Sequence, residues 1–242
     1  MDVRAVDCAT GAAAMIAVTI PAHNEADLIG KCLQSILVAA AHPHLVGERV
    51  EIHVALDRCS DGTGAIARAH GARTVATAGG VGIARAAAAS AAIARGARWL
   101  AFTDADTCVP PDWLSAQLDC AADVFCGVVE VTDWHDFRPE TRQAFLAKEI
   151  RRDGHPHVHG ANLGMSVAAY VAAGGFSALK CSEDVALVSA LERAGMQIAR
   201  LVKPVVNTSA RRIARASGGF SDHLARLEMA VLAGEPVLES QV

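Results

Sequence analysis

Arg98-Trp99-Leu100-Ala101-Phe102-Thr103-Asp104-Ala105-Asp106 is an apolar run that ends in two carboxylates one residue apart. Residues 98–103 read as a buried strand, since a short apolar run suits a sheet covered on both faces. Asp104 and Asp106 then stand just beyond the strand's end. Two carboxylates so placed can converge on a divalent cation. Their oxygens suit hard ions such as Mg²⁺ and Mn²⁺, which commonly also hold a substrate's phosphates. Alone, the pair reads equally as a helix cap or a solvated loop end, so its meaning depends on the neighbouring segments.

Upstream, strands and helices alternate. Residues 15–20 (MIAVTI) are a short β-rich run. Residues 26–40 follow at helical period, with Leu28, Ile29, Cys32, Leu33, Ile36 and Leu37 on one face. Residues 50–56 (VEIHVAL) alternate as a strand, and 61–70 form a helix opened by Ser60 or Asp61. Residues 72–76 and 82–95 give a third strand and helix. Such repeats predict an α/β fold with a mostly parallel central sheet flanked by helices. Right-handed crossovers place the strand ends along one edge. Four loops should meet there: Pro21-Ala22-His23-Asn24-Glu25, Asp57-Arg58, Gly79-Gly80-Val81-Gly82 and Asp104-Ala105-Asp106.

Downstream the pattern is less regular. A helix is expected over 110–122, starting near the Pro110-Pro111 pair, then a strand over 124–132 and a helix over 139–150. Residues 151–160 are a polar, histidine-rich loop, and 160–166 a glycine-containing turn into a strand. A helix over 182–193, a strand over 197–202 and a helix over 219–233 complete the reading. No internal repeat or long linker interrupts residues 1–242, so one domain is expected.

Composition narrows the function classes. With 22 basic and 26 acidic residues the net charge is -4, which gives no bulk electrostatic reason for nucleic-acid binding. Hydrophobic residues make up 52% of the chain but aromatics only 4%, so close, alanine-rich helix packing is expected. Cys8, Cys32, Cys59, Cys108, Cys120, Cys126 and Cys181 are dispersed and form no CxxC pair, which fits a reducing cytosol. The alanine-rich stretch 81–102 is broken by Arg85, Arg95 and Arg98, too soon for a membrane helix. Asp2, Arg4 and Asp7 do not suit a signal peptide. A soluble, cytoplasmic protein is expected, with peripheral membrane contact left open.

The ordered set IPAHNEADLIGKCLQSI (20–36), LDRCSDGTGAIA (56–67), GGVGIARAAAA (79–89), DADTCVPPDWL (104–114), GANLGMS (160–166) and SEDVALVSAL (182–191) resembles the family 2 glycosyltransferases of GT-A fold. The matching pieces run from Ile16 to about Phe220. The resemblance implies a nucleotide-diphosphate sugar donor, a Mn²⁺ or Mg²⁺ ion and an acceptor hydroxyl. It also divides the chain into a nucleotide-binding half, about 14–107, and an acceptor-binding half, about 108–242.

The resemblance assigns roles beside simpler readings. It puts the backbone of Pro21 and Ala22, with Glu25, at the nucleoside; Asn24 and Glu25 also suit a helix start. Asp57 can accept from a nucleobase N–H or a ribose, or serve as a turn residue. Arg58 stands where the family often carries an acid or asparagine, which leaves the nucleobase open. Gly79, Gly80 and Gly82 permit close backbone approach to an anion at a helix start, and Arg85 can neutralise a diphosphate or lie on the surface. By the resemblance Asp106 binds metal directly, Asp104 contacts ribose or metal-bound water, and Ala105 lies between them at the donor. Glu183 and Asp184 read as a helix-start pair, but the resemblance puts Glu183 at the donor and makes Asp184 the general base that deprotonates the acceptor, with inversion. Asn162, in the 160–165 stretch, would line the donor sugar, offering both donor and acceptor groups.

Three features stay open. His155, His157 and His159 alternate, but Gly154 and Pro156 favour a mobile loop that closes over the donor rather than a zinc site. His223 follows the last expected strand, where some relatives supply a further metal ligand. Arg211, Arg212 and Arg215 form a basic segment that can clamp phosphates, an anionic acceptor, or only water. Two other functions compete. A nucleotidyltransferase of related fold would carry a glycine-rich basic loop where Pro21–Glu25 stand. A non-catalytic nucleotide-sugar binding module would not need Asp104, Asp106 and Asp184 together.

Overall fold

β1 (Met15–Ala22) is covered on both faces. Its side chains alternate with period two. Ile16, Val18 and Ile20 join the cluster that contains Ile29, Cys32, Leu33 and Ile36 of α1 (Ile29–Ala40). Met15 and Ala17 join the cluster that contains Ala89 and Ala92 of α3 (Val81–Ile93). α3 buries Ala84, Ala88, Ala89 and Ala92 against the sheet, so the alanine-rich packing is present here. The computed structural model describes residues 15–134, 136–179, 181–212 and 218–234.

The central sheet has seven strands in the order β3 (Arg73–Thr77), β2 (Arg49–Asp57), β1, β4 (Ala97–Phe102), β7 (Leu163–Ser166), β5 (Val124–Cys126) and β8 (Ile198–Arg200). The first four are mutually parallel, β7 is antiparallel to both β4 and β5, and β5 is parallel to β8. This is the α/β architecture expected, with one reversed strand. The chain steps outward from β1 to β3, through α2 (Thr63–Ala69), then returns to β4 on the other side of β1. At such a switch point a crevice opens beyond the carboxyl ends of the strands, and ligands bind there. The loops after β1, β2 and β4 all leave from that edge.

Several expectations need correction. The strand expected over 124–132 is two strands: β5 stops at Cys126, and β6 (Val129–Glu130) pairs with β9 (Val206–Asn207) in a separate two-stranded sheet. The break falls at Gly127, whose N–H donates to the Asn162 carbonyl at 2.9 Å. A Cβ there would lie 2.2 Å from Asn162 Nδ2, so only glycine fits. The helix expected over 110–122 is confined to α4 (Trp113–Asp119), because the two prolines form an initial turn in which Trp113 N–H donates to the Pro110 carbonyl. α6 (Val167–Ala172), capped by Ser166, is too short to show a helical period and was not expected.

Aromatic residues also matter more than their number suggests. Phe102, Tyr170 and Phe176 pack together under β4. Trp134, Phe137, Phe145 and Phe220 join Leu224 and Leu227 between α5 (Pro139–Lys148) and α8 (Phe220–Leu232). α7 (Glu183–Arg193) packs against α3 and α6. Among the described residues no helix is long and apolar enough to cross a membrane.

Candidate active site

Beyond β4 the chain turns sharply, with Thr107 N–H donating to the Asp104 carbonyl at 3.1 Å. Cys108 then exchanges two backbone hydrogen bonds with Asn207, at 2.8 and 2.9 Å, and the Thr107 hydroxyl meets that of Thr208 at 3.0 Å. These bonds lay the strand 206–207 and the residues after it along the acidic turn. Arg211 is thereby delivered to the acids. Its Nη1 and Nη2 each lie 2.7 Å from one oxygen of Glu25, a bidentate fork, and Nη2 also lies 3.0 Å from Asp106 Oδ2.

Arg85 organises the other side. Its Nε donates to Glu183 Oε1 at 3.1 Å, Nη1 to the Gly160 carbonyl at 2.6 Å and Nη2 to Asp104 Oδ1 at 2.6 Å. Its cationic carbon stands 5.8 Å from the centre of the Phe176 ring. Gly160 is required here, because a Cβ would lie 2.5 Å from Arg85 Nη2. The Gly160 N–H donates to Asp184 Oδ2 at 2.7 Å, and Val185 N–H reaches Asp184 Oδ1 at 2.8 Å. Asp104, Glu183 and Asp184 are thus joined through one guanidinium and one glycine. Arg85 differs from the diphosphate-binding residue expected of it. It is 3% exposed and all three of its nitrogens meet protein acceptors.

Glu25, Asp104, Asp106, Glu183 and Asp184 outnumber the two guanidiniums, Arg85 and Arg211, among which they lie. Burial, with Asp104 and Glu25 adding to it against Arg211, pushes the Asp106 carboxyl up to about 6. Burial also raises Glu183, although Arg85 opposes it. The cluster therefore carries surplus negative charge that a further cation would relieve. Among the described residues no three His, Cys, Asp or Glu side chains are grouped as metal ligands. Two carboxylates on one tight turn still fit Mg²⁺ or Mn²⁺, because such ions accept one or two carboxylates and complete their shell with phosphates and water. His223 is not grouped with this pair. It sits on α8 with its ring stacked 6.4 Å from that of Phe220, where the aromatic cluster holds the helix against α5.

The loops after β1 and β2 are tied together. The Ala22 carbonyl, next to Pro21, accepts from Cys59 Sγ at 3.2 Å. Asn24, with φ of 53°, accepts from Ser60 N–H at 2.8 Å through Oδ1. Glu25 N–H donates to the Thr63 hydroxyl at 2.8 Å. Asp61 receives the N–H groups of Ala26 and Thr63, so it satisfies the start of α2, although Gly62 holds the capping position. Asp57 accepts from Gly79 N–H at 2.9 Å and from Gly80 N–H at 3.1 Å. Burial pushes the Asp57 carboxyl up, but these N–H groups and Arg58 hold it below the usual range. The glycine N–H groups expected to meet a ligand anion thus meet an anion of the protein.

Asn162 is a correction. Its side chain is fully buried: Oδ1 accepts from Trp113 Nε1 at 2.9 Å, and Nδ2 donates to the carbonyls of Val128 and Pro204 at 2.8 and 2.9 Å. It ties three segments together and has no hydrogen-bonding group left for a sugar. Ala105 is buried as well, so only its backbone can face a donor. The loop over 151–160 lacks regular structure, as read, but it is packed rather than loose. The rings of His155, His157 and His159 stack with centroids 5.6 and 5.7 Å apart. His155 Nε2 meets the Leu201 carbonyl at 3.2 Å. Arg212 forks Glu228 at 2.7 and 3.0 Å and anchors α8, while Arg215 lies outside the described residues. The sequence reading noted the basic segment but missed the fork of Arg211 on Glu25, which joins residues 186 positions apart.

A mostly parallel sheet with an acidic turn at its switch point, tied to an acidic helix start, is the architecture of the GT-A fold glycosyltransferases. The family model for glycosyl transferase family 2 matches residues 17–174, and the chain belongs to that family. Solved structures agree on the fold. The 1–349 fragment of Staphylococcus aureus TarS in complex with UDP-GlcNAc superposes with a TM-score of 0.62 at 17% identity, covering 93% of this chain and 68% of that one. The Pyrobaculum calidifontis mannosyltransferase PcManGT, in complex with GDP-Man and Mn²⁺, gives 0.60 at 17% identity over 93% and 76% of the two chains. Glucosyl-3-phosphoglycerate synthase from Mycobacterium tuberculosis, in complex with Mg²⁺ and UDP, gives 0.58 at 19% identity over 92% and 80%. No curated protein matches the chain in sequence.

Proposed function

We propose that this glycosyltransferase is metal-dependent and moves a sugar from a nucleotide-diphosphate donor to an acceptor hydroxyl with inversion. The observation that carries this reading is the link from Asp104 through Arg85 and Gly160 to Asp184, which fixes the donor-side acids relative to the candidate base. The donor complexes of TarS and PcManGT support a nucleotide sugar, and the Mn²⁺ and Mg²⁺ of two neighbours support a divalent ion.

In this reading residues 14–107 bind the nucleotide and 108–242 the acceptor. Pro21, Ala22, Asn24, Glu25 and Asp57 border the nucleoside, Gly80 holds the Asp57 carboxylate in place, Ala105 offers backbone, and Asp104 and Asp106 hold the cation. When bound, the ion offsets charge on the departing nucleoside diphosphate. Asp184 takes the acceptor hydroxyl proton as that oxygen attacks the anomeric carbon from the face opposite the leaving group. The Gly160 N–H holds one Asp184 oxygen in place. Arg85 and Glu183, both expected at the donor, act instead through these groups, because each is buried and the two are paired with each other. The dispersed cysteines fit a cytoplasmic enzyme, and the acceptor is either a small soluble molecule or one at a membrane surface.

A thermal-shift screen of UDP, GDP, CDP and dTDP, each with and without Mn²⁺, tests the reading. One diphosphate should stabilise the protein only with metal present, and so name the donor class. Stabilisation by a diphosphate that is indifferent to Mn²⁺ and to EDTA would sink the metal requirement.

A further inference from the structure

The two acids of the 104–106 turn each hold a guanidinium, but the two guanidiniums are not equivalent. Arg85 is buried inside α3 and bonded at every nitrogen. Arg211 lies outside any helix or strand, and its side chain is 22% exposed. Its fork is satisfied by Glu25 alone, at 2.7 Å on both oxygens, so the 3.0 Å contact to Asp106 Oδ2 is additional. The Asp106 carboxylate also meets the Thr107 hydroxyl, at 3.4 Å from Oδ1, and its own backbone N–H.

A divalent ion on Asp106 and a guanidinium against the same carboxylate are like charges in contact. They also compete for the same lone pairs. We infer that Arg211 is a built-in counter-ion: in the resting protein it takes the cation's place at Asp106, and cation binding drives it off. This inference rests on the proposed metal role of Asp106. The displaced guanidinium keeps its fork on Glu25 beside the crevice and has further N–H groups to offer a phosphate. Binding of the ion alone must then break the Asp106 contact and hold two cations close together, whereas a nucleoside diphosphate gives Arg211 a second anion beside Glu25. Metal and nucleotide are therefore coupled through this one side chain, and the coupling is reciprocal.

Mn²⁺ binding, read as loss of the free-ion EPR signal, tests this on the full chain with and without the nucleoside diphosphate selected by the screen. For the wild type, the nucleotide should tighten Mn²⁺ binding by about tenfold or more. Arg211→Gln should bind Mn²⁺ alone about tenfold more tightly than the wild type and lose most of that coupling. Arg212→Gln, which breaks contacts with Glu228, the Asp136 carbonyl and the Phe137 ring but none with Glu25 or Asp106, should behave as the wild type. Equal Mn²⁺ affinity in the wild type and Arg211→Gln, both abolished by Asp106→Ala, would overturn the counter-ion and leave the metal site standing. Absence of Mn²⁺ binding in every protein, nucleotide included, would overturn both. Arg211→Gln strands the buried Glu25, so the wild type supplies a second measurement that needs no variant. Modification by phenylglyoxal, mapped by peptide mass, should rise at Arg211 when Mn²⁺ alone is added, and an unchanged yield would overturn the proposal.

Discussion

Asp184 is held at both oxygens by backbone N–H groups, from Gly160 and Val185. Asparagine keeps the shape of that side chain but removes the basic oxygen. Asp184→Asn should therefore bind the nucleoside diphosphate within about twofold of the wild type while transfer falls by about 10²–10⁴. Calorimetry and product formation check the two halves separately, and near-normal transfer would remove Asp184 as the base. Arg85 makes a different demand. Its loss leaves Glu183 buried without its charge partner, and breaking a buried pair this way costs about 3–5 kcal/mol. Arg85→Met should thus lower the urea midpoint markedly before any effect on chemistry is considered. A midpoint within error of the wild type would show that the guanidinium is not the hub its bonds describe.

Helices and strands were legible where burial is two-sided. β1 and β4 announced themselves as apolar runs, β2 by its alternation and α1 by its stripe, and the convergence of their loops followed from topology alone. What escaped the sequence was the partner of each polar group. Asp57 finds Gly79 and Gly80 22 and 23 positions away, and Asn162 turns inward because Trp113, Val128 and Pro204 converge on it. Those partners are fixed by packing and leave no periodic trace. The histidine loop shows the same limit: alternation was visible, but not the burial. Burial, with the neighbouring histidines adding to it, drives His159 down to about 3, and its Nε2 is buried without a partner. The unfolded chain takes up this proton near the ordinary histidine value of about 6.5. Stability from His159 is therefore full above that pH and drains away as pH falls toward 3. Because part of the residue reaches the surface, the wild type should lose only about 1 kcal/mol through it between pH 7.5 and 5. His159→Phe should flatten that arm of the profile in urea titrations at the two pH values. An identical acid slope in the variant would assign the acid sensitivity elsewhere.

The molecule separates its charge clusters along β2. Asp57 closes the strand at the crevice, while Glu51 lies six residues earlier, roughly 20 Å away at the strand rise of extended chain. Glu51 is 8% exposed and gathers Arg49, Arg73 and Arg95, with His53 beside it. These residues come from β2, from β3 and from just beyond α3, so the cluster fastens the amino ends of the sheet, where no ligand is proposed. The hydrogen bonds from Arg95 bring the Glu51 carboxyl down to about 2, burial opposes them, and Arg73 and Arg49 help. A carboxyl lowered in this way stabilises fully above its ordinary value of about 4.5, and the contribution is lost as pH falls through 2. The arginines are half exposed to water, which screens the gain. Glu51→Gln should then cost about 1–2 kcal/mol at pH 7, and the gap from the wild type should close between pH 4.5 and 2. Affinity for the nucleoside diphosphate with Mn²⁺ should stay unchanged, because the acids at the carboxyl edge keep every partner they have. Chemical denaturation across pH and a parallel nucleotide titration measure both quantities. A weakened nucleotide site in a variant of normal stability would mean that the two ends of the sheet are coupled, and that the crevice depends on more than the loops that frame it.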